Sequence, residues 1–279
     1  MCGFIGLINA DTEKVRQKKE MLTAVLRHRG PDNVSVFAEN SGRIALIHNR
    51  LSIIDLNKEA NQPMIDKDNG NIIVFNGEIY NYTALKQEFG GIRWRTNSDT
   101  EVILKLYARL GNKAVGRLNG IFAFAIYDKA RNKIVLCRDR FGVKPLYYLT
   151  RGNSLIFASE AKAILSVAPQ PVNLRSVYEY IEYGELCQGP KTFFENIHSL
   201  PAAHIMEYSL SSNKAVLKRY WDVPAGAKDL REEEFAEEAF YLLKDSVRLN
   251  MVSDVEVAIS LSSGIDSASI FHFAKGSGG

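Results

Sequence analysis

The second residue of the chain is a cysteine that follows Met1 and precedes Gly3. If Met1 is removed, Cys2 carries a thiol and a free α-amine on one residue. An α-amine has a pKa near ~8, against ~10.4 for a lysine, so it is partly neutral at working pH. It can then take the thiol's proton, which predicts a nucleophile and a general base within one residue. The alternative is a cysteine that packs as a small hydrophobic side chain in an edge strand.

Three further places in the chain carry groups that would bind an amino acid with a side-chain amide. Arg50 offers the planar fork that a carboxylate needs, and Asp99 offers a negative charge for an α-ammonium. Attack on an amide carbonyl creates an oxyanion, for which the Asn76 side chain and the Gly77 N–H are candidate donors. With Cys2, these residues predict a site that binds free glutamine and attacks its amide.

Each of these residues also has a purely structural interpretation. Arg50 alone is more often a surface residue or a member of a structural ion pair. Asp99 is well placed to be the N-cap of the helix that follows it. Asn76-Gly77 between apolar runs is a strong β-hairpin signal. The catalytic interpretation therefore needs the residues to be considered together.

Segments of strand and helix pattern must position these residues. Many short strands of mixed pattern, with a few helices on each side, predict an antiparallel, layered α+β domain. Asp11-Thr12 can cap a helix over 13–27, and residues 40–42 are a hairpin signal between two alternating runs. Strands are predicted at 2–9, 34–39, 43–48, 71–75, 119–127, 133–138, 146–149 and 154–158, and helices at 82–89, after 97–101, at 160–165 and at 174–183.

The sequence changes character near residues 221–229, which are rich in Pro, Gly and Ala. We therefore divide the chain into a domain over 2–210, a linker over 211–229 and the start of a second domain over 230–279. The last part predicts a helix over 230–250, a buried strand over 255–261, a small-residue loop over 262–267 and a helix from 268. A strand, a Ser/Gly loop and a helix N-terminus form a phosphate cradle in parallel α/β domains. One strand and one helix cannot build such a sheet, so the second domain is expected to be incomplete here.

Composition excludes several classes of protein. The chain of 279 residues has 35 Lys and Arg against 32 Asp and Glu, a net charge of +3, and no basic cluster with interleaved aromatics, which argues against nucleic-acid binding. Its three cysteines are widely spaced and lack metal-binding spacing, so neither a disulfide framework nor a metal site is predicted. It has no signal peptide and no apolar run near the ~20 residues of a membrane span. We expect a cytoplasmic protein with no membrane partner.

Six motifs occur in order and together resemble one family. They are CGFIG at 2–6, RHRGPD at 27–32, NRLSIID at 49–55, NGEIYNY at 76–82, SDTEV at 98–102 and RDRFGVKPLYY at 138–148. Over residues 2–200 the chain resembles the glutaminase domain of class II glutamine amidotransferases, most closely the asparagine synthetase branch. Residues 262–267 extend the resemblance into the synthetase domain, whose loop usually has the sequence SGGxDS. Ser263 replaces the first glycine of that pair, so its Cβ can obstruct a phosphate or its hydroxyl can donate to one.

The resemblance implies an N-terminal-nucleophile hydrolase fold, a four-layer αββα sandwich, followed by the start of an α/β pyrophosphatase-loop domain. It implies that Cys2, after loss of Met1, forms a glutamyl thioester and releases ammonia, with Asn76 and Gly77 as the oxyanion hole. The glutamine carboxylate would be held by Arg50 beside a wall of Leu51, Ser52, Ile53 and Ile54, and the amino group by Glu78 and Asp99. The ATP-binding loop would comprise Leu261, Ser262, Ser263, Gly264, Asp266 and Ser267.

The same resemblance sets the expected cofactors and partners. The glutaminase domain needs no cofactor or metal, whereas ATP and Mg²⁺ are expected for the complete synthetase domain. The partners are glutamine and an acceptor, which is aspartate in asparagine synthetases and another carboxylate, such as a sugar acid, in the alternative. A module that keeps the fold without turnover is a less favoured alternative. A homodimer is compatible with the resemblance.

Overall fold

The computed structural model describes residues 1–9, 19–39, 42–184, 189–226 and 230–276. These residues form two antiparallel sheets of six strands each and seven α-helices. The first sheet has the order β10-β8-β9-β1-β3-β2 and the second the order β12-β11-β7-β6-β5-β4. The strands are β1 (Gly3–Ile8), β2 (Asn33–Ala38), β3 (Ile44–Arg50), β4 (Met64–Ile65), β5 (Ile72–Ile79), β6 (Gly120–Asp128), β7 (Lys133–Arg138), β8 (Tyr147–Arg151), β9 (Ser154–Ala158), β10 (His198–Ser199), β11 (His204–Ser209) and β12 (Ala215–Arg219).

Helices cover the outer face of each sheet. Leu22 and Ile164 join the apolar cluster outside the first sheet, and Leu85 and Leu106 join the cluster outside the second. A third cluster lies between the sheets. The predicted four-layer αββα sandwich is therefore confirmed. The helices are α1 (Lys19–Ala24), α2 (Tyr82–Glu88), α3 (Asp99–Leu110), α4 (Ala161–Val167), α5 (Leu174–Tyr183), α6 (Glu232–Asn250) and α7 (Ile265–Lys275).

The alternation of side chains along each strand builds the central layer. In β1, Phe4 and Ile8 face the second sheet, while Ile5 and Leu7 pack under the outer helices. In β5, Val74 belongs to the central cluster and its neighbours to the outer one. One residue of slip in either strand would exchange these faces, so the apolar pattern sets the register.

Some elements differ from the predictions. The strand expected over 255–261 is wrong: these residues are not in a strand, because no described strand lies beside them to pair with their N–H and C=O groups. β12 lies inside the predicted linker, where it pairs with β11 and extends the second sheet to Arg219. The Asp11-Thr12 cap, the first part of the 13–27 helix and the tip of the 40–42 hairpin lie outside the described residues.

The segment after α6 contacts the sandwich. Val252 packs against the apolar cluster outside the second sheet. The Asp254 N–H donates to the Ile53 carbonyl at 3.0 Å, and the Asp254 carboxylate accepts from the Asp55 N–H at 2.7 Å. The second part of the chain thus holds the loop that follows β3. No helix in the described parts of the chain has both the length and the apolar character to cross a membrane.

Candidate active site

One end of the central layer gathers the residues that the sequence singled out. Cys2 directly precedes β1, two positions before the inward-facing Phe4, and Asn76 lies in β5, two positions after the inward-facing Val74. Arg50 ends β3, the neighbour of β1. Because alternate residues share a face, the pattern that builds the apolar layer also directs Cys2 and Asn76 into its end. A pocket opens there, lined by Met1, Cys2, Arg50, Leu51, Ile53, Ile54, Ala60, Gln62, Phe75, Asn76, Gly77, Glu78, Ser98, Asp99, Thr100 and Lys144.

Two groups of predicted site residues do not line this pocket. Ser52 is absent from the lining, and its N–H donates instead to the Asp32 carboxylate at 2.8 Å. The predicted ATP-binding loop over 262–267 also contributes no residue to the pocket lining. All the other residues predicted to bind glutamine line the pocket together with Cys2.

Hydrogen bonds hold both the backbone and the thiol of Cys2. Its Sγ accepts from the Leu51 N–H at 3.4 Å and lies 3.6 Å from the Leu51 carbonyl, while Arg29 Nε donates to the Cys2 carbonyl at 2.8 Å. Burial raises the pKa of the Cys2 thiol, and the Leu51 N–H, the N-terminal amine and Arg50 oppose that shift only in part. Because the thiolate is the nucleophile, this thiol needs a base to take its proton.

The Asn76 side chain is fully buried in the pocket wall. Neither its Oδ1 nor its Nδ2 has a hydrogen-bond partner among the described residues. A buried amide without partners costs free energy, and such groups occur where a ligand completes the bonds. The hairpin interpretation of Asn76-Gly77 is wrong, because both residues lie inside β5, paired with Ala123 and Phe122 of β6.

The strand edge that faces the pocket supplies backbone donors. The Phe75 N–H donates to Gln62 Oε1 at 2.6 Å, and the Ile79 N–H donates to Asp99 Oδ2 at 3.0 Å. Alternate N–H groups point to one edge of a strand, so the Gly77 N–H between them points the same way. Gly77 has a φ of 156°, and a Cβ there would lie 2.2 Å from the Ile121 carbonyl oxygen. Glycine is therefore required where the predicted oxyanion donor stands.

Asp99 and Glu78 place two carboxyl groups at the pocket. Ser98, not Asp99, is the N-cap of α3, since its side chain accepts from the Thr100 N–H at 3.1 Å. Burial raises the pKa of Asp99 to about 7, and the nearby Glu78 charge adds to the shift. Burial also raises the pKa of Glu78. A bound ammonium would stabilise the ionised form of both carboxyl groups, as expected where the amino group of a substrate binds.

We expect the KM for glutamine to depend on Asp99 protonation. If only the ionised form binds the ammonium, a pKa of about 7 means that KM rises roughly 10-fold as the pH falls from 8 to 6. Steady-state kinetics over this range measures the effect. Asp99→Asn is the matched variant, in which KM is high and independent of pH. A wild-type KM that stays constant from pH 8 to 6 would contradict the assignment.

Arg50 is buried, at 4% exposure, and holds the loop after β3. One terminal nitrogen donates to the Asn57 carbonyl at 3.0 Å and to Asn61 Oδ1 at 2.7 Å. The other donates to the Ile54 carbonyl at 3.2 Å and to the Asp55 carbonyl. The surface interpretation of Arg50 is therefore wrong. Its fork is tied to carbonyl oxygens in this structure, so a substrate carboxylate would bind by exchanging with some of them.

Arg50→Lys should lower kcat/KM for glutamine by about 10-fold or more, because lysine keeps the charge but loses the planar fork. The same substitution should lower Tm, since one ammonium cannot bond four carbonyl groups spread over residues 54–61. Kinetics and thermal unfolding are measured on the same sample. A lower Tm with unchanged kcat/KM would leave Arg50 a loop-holding residue alone.

Two supporting residues were missed by the sequence analysis. Gln62 bridges β5 and α3, because its Oε1 binds the Phe75 N–H and its Nε2 donates to Thr100 Oγ1 at 3.2 Å. His48 Nε2 donates to the Phe75 carbonyl at 3.0 Å, and burial lowers the pKa of His48 to about 4, which keeps the ring neutral. Together they hold both polar backbone groups of Phe75, the residue before Asn76. The sequence carries no signal for either contact, since each partner is distant along the chain.

The loop over 262–267 has donors suited to phosphate but is bonded to itself. Ser267 Oγ accepts from the Ser262 N–H at 3.2 Å, and Ser262 Oγ accepts from the Gly264 N–H at 3.2 Å. Every residue from Leu261 to Asp266 is exposed. Among the described residues, no group of three or more His, Cys, Asp or Glu side chains could hold a metal ion. The loop is therefore open to solvent among the residues that the structure describes.

Comparison with known proteins agrees with the site. Residues 1–221 match the family described as glutamine amidotransferase domain, and residues 239–278 match asparagine synthase. The chain belongs to the glutamine amidotransferase domain family.

Relatives that share this similarity include synthetases and amidases. The chain is 37% identical to a putative glutamine-hydrolysing asparagine synthetase 2 of Methanocaldococcus jannaschii, over 97% of this chain and 56% of the relative. It is 37% identical to glutamine-hydrolysing asparagine synthetase 2 of Bacillus subtilis, over 98% and 38%. It is 33% identical to amidase chry2 of Gibberella zeae, over 95% and 40%. The chain thus spans about half the length of these relatives or less.

Solved structures share the fold at low identity. Glutamine phosphoribosylpyrophosphate amidotransferase from B. subtilis, complexed with ADP and GMP, superposes with a TM-score of 0.58 at 18% identity, over 99% of this chain and 64% of that one. A structure described as the allosteric regulatory enzyme of purine biosynthesis gives 0.61 at 19%, with the same coverage. The fold is thus that of the N-terminal-nucleophile glutamine amidotransferases, as predicted.

Proposed function

We propose that this chain hydrolyses glutamine to glutamate and ammonia with Cys2 as the nucleophile. The observation that carries the proposal is the Asn76 amide, buried without a partner in the same pocket as the Cys2 thiol. A buried amide without a hydrogen-bond partner costs stability. In a pocket with a nucleophile, it can donate to the oxyanion that forms when an amide carbonyl is attacked. The family match over residues 1–221 supports the same reaction.

The proposed reaction begins after Met1 is lost. The neutral α-amine of Cys2 takes the proton from Sγ, which attacks the side-chain carbonyl carbon of glutamine. The carbonyl oxygen becomes an oxyanion that accepts from Asn76 Nδ2 and the Gly77 N–H. Collapse of this intermediate breaks the C–N bond, and the amine returns the proton to the leaving ammonia. Water then hydrolyses the thioester to glutamate and regenerates the thiol.

Binding of glutamine rests on its α-carbon groups. Arg50 would hold the carboxylate, with Leu51, Ile53 and Ile54 as the adjoining wall. Asp99 and Glu78 would hold the ammonium, because both carboxyl groups line the pocket and burial, which raises the pKa of each, favours binding of a cation that would offset it. The pocket therefore suits an amino acid rather than a simple amide.

In the complete protein, we propose that the ammonia is used for ATP-dependent amidation of aspartate to asparagine. The match of residues 239–278 to asparagine synthase and the two asparagine synthetase relatives support this step. ATP and Mg²⁺ would be cofactors of that domain, with the 262–267 loop as one wall of their site. The contact of Asp254 with Ile53 and Asp55 gives the two parts a direct connection.

The glutaminase proposal is tested with purified protein and L-glutamine, with L-asparagine as the matched amide. We expect glutamate and ammonia in equal amounts from glutamine and much slower release from asparagine, whose amide is one methylene nearer the α-carbon. Intact mass establishes that Met1 is absent. A folded sample without Met1 that releases no ammonia from glutamine would contradict the proposal.

A further inference from the structure

The motif at 138–148 has no part in the reaction described above, yet its loop is tightly fixed. The Asp139 carboxylate accepts from the Val143 and Lys144 N–H groups, each at 2.9 Å, and from the Phe122 N–H of β6 at 3.1 Å. Arg138 Nε donates to the Lys144 carbonyl at 2.8 Å. Both polar backbone groups of Lys144 are thus bonded to side chains of its own loop. Such a frame fixes where the lysine side chain starts.

The Lys144 side chain enters the pocket that holds Cys2. Lys144 is only 9% exposed and lines that pocket. Its Nζ lies 3.3 Å from Met1 Sδ. Among the described residues, no carboxylate lies within ion-pair distance of this ammonium, although burying a charge without a partner is costly. Lys144 is thus a buried cation that lies next to Met1 in the candidate active site. The cost of burying its charge indicates that the charge has a function there.

We propose that Lys144 is a positioning residue of the glutaminase site, whose positive charge keeps the Cys2 α-amine in the neutral form that accepts the thiol proton. The proposal rests on the proposed glutamine hydrolysis and deepens it. Lys144 Nζ contacts the side chain of Met1, the residue directly before Cys2, so loss of Met1 exposes the Cys2 amine one residue from that contact. A positive charge close to an amine disfavours its protonation, and one close to a thiol favours the thiolate.

The charges around the N-terminus agree with this role. In the chain that retains Met1, burial lowers the pKa of the Met1 amine, and Arg29 and Lys144 lower it further, against the Cys2 and Asp32 charges. Burial lowers the pKa of Lys144 itself, whereas Glu78, Cys2 and Asp139 favour its ammonium form and Arg29 opposes it. Arg29 already donates to the Cys2 carbonyl and to Glu160 at 2.9 Å, so its charge is paired. Among the described residues Lys144 has no ion-pair partner, and its ammonium, unlike the Arg50 guanidinium, is not held by carbonyl groups.

The test compares Lys144→Met, which keeps length but removes the charge, with Lys144→Arg, which keeps the charge. The rate of Cys2 alkylation by iodoacetamide is measured against pH without glutamine, with peptide mapping to separate Cys2 from the other cysteines. We expect the midpoint for Lys144→Met to lie about 0.5 to 1 pH unit above that of the wild type, the size that one partly buried charge nearby produces. Lys144→Arg should stay close to the wild type.

A second measurement separates this role from a structural one. The acidic limb of the kcat profile for glutamine should move upward by the same amount in Lys144→Met and be restored in Lys144→Arg, while KM changes little. Lower activity with an unmoved alkylation midpoint would overturn the inference, as would an effect on KM alone, which would make Lys144 a carboxylate ligand. Alkylation needs no turnover, so it tests the role of Lys144 separately from hydrolysis. The role of Lys144 can therefore fail while Cys2-dependent hydrolysis is confirmed, and hydrolysis can fail while the effect of Lys144 on the Cys2 thiol is confirmed.

Discussion

Cys2→Ala should abolish ammonia release from glutamine, a loss of more than about 10³-fold in kcat, because alanine offers no nucleophile. The fold should survive, since the Leu51 N–H loses only a weak sulfur acceptor at 3.4 Å and the Arg29 bond to the backbone carbonyl remains. Initial rates of ammonia release and a thermal unfolding curve of the same sample measure the two expectations.

Cys137→Ala and Cys187→Ala are the matched controls, because each removes one thiol and leaves Cys2. Cys137 lies fully buried in β7, where burial raises the pKa of its thiol well above the usual range, so it is inert. Both variants should retain hydrolysis. A Cys2→Ala protein that still releases ammonia from glutamine would end the assignment, and a fully active sample that retains Met1 would exclude the α-amine as the base.

The architecture could be predicted from the sequence because it depends on local pattern. The alternation in β1 and β5 places Phe4 and Val74 in the central layer, and the same period of two directs Cys2 and Asn76 to its end. Of the motif residues that line the pocket, Cys2 directly precedes β1, Arg50 ends β3, and Asn76, Gly77 and Glu78 lie in β5. The direction of a site side chain could therefore be predicted where its residue lies in a strand or next to the end of one.

Contacts between distant segments could not be predicted in this way. The sequence predicts that the Arg50 fork binds a carboxylate, but it does not show how the loop after β3 folds back to place its carbonyl groups on that fork. Asp254, almost 200 residues away, bonds the same loop, and neither segment has a sequence feature that predicts this contact. The strand predicted at 255–261 failed for a related reason, since apolar alternation gives a strand its faces but not its neighbour.

The two interpretations of Asn76-Gly77 also show the limit of local signals. Asn-Gly between apolar runs favours a turn because both residues tolerate positive φ. Here the chain continues through them as a strand, because residues 72–79 pair with residues 120–127 along their whole length. The glycine is required by the close approach of the Ile121 carbonyl instead. The long-range pairing thus overrides the turn preference.

Asn76→Ala should lower kcat by about 10²- to 10³-fold with little change in KM, because the donor acts on charge that exists only in the oxyanion. The substitution should not reduce Tm through lost hydrogen bonds, since neither polar atom of Asn76 has a partner among the described residues. If Tm is unchanged, a fall in activity cannot be ascribed to unfolding. Steady-state kinetics and thermal unfolding are compared with those of the wild type.

Gly77→Ala provides the contrast to Asn76→Ala. A Cβ at residue 77 would collide with the Ile121 carbonyl, so this variant should lose both activity and Tm. Asn76→Ala should lose activity alone. If Asn76→Ala instead raises KM and leaves kcat unchanged, Asn76 binds the substrate and does not stabilise the oxyanion. If it changes neither, the buried amide has no part in hydrolysis, and the observation on which the proposed function rests is removed.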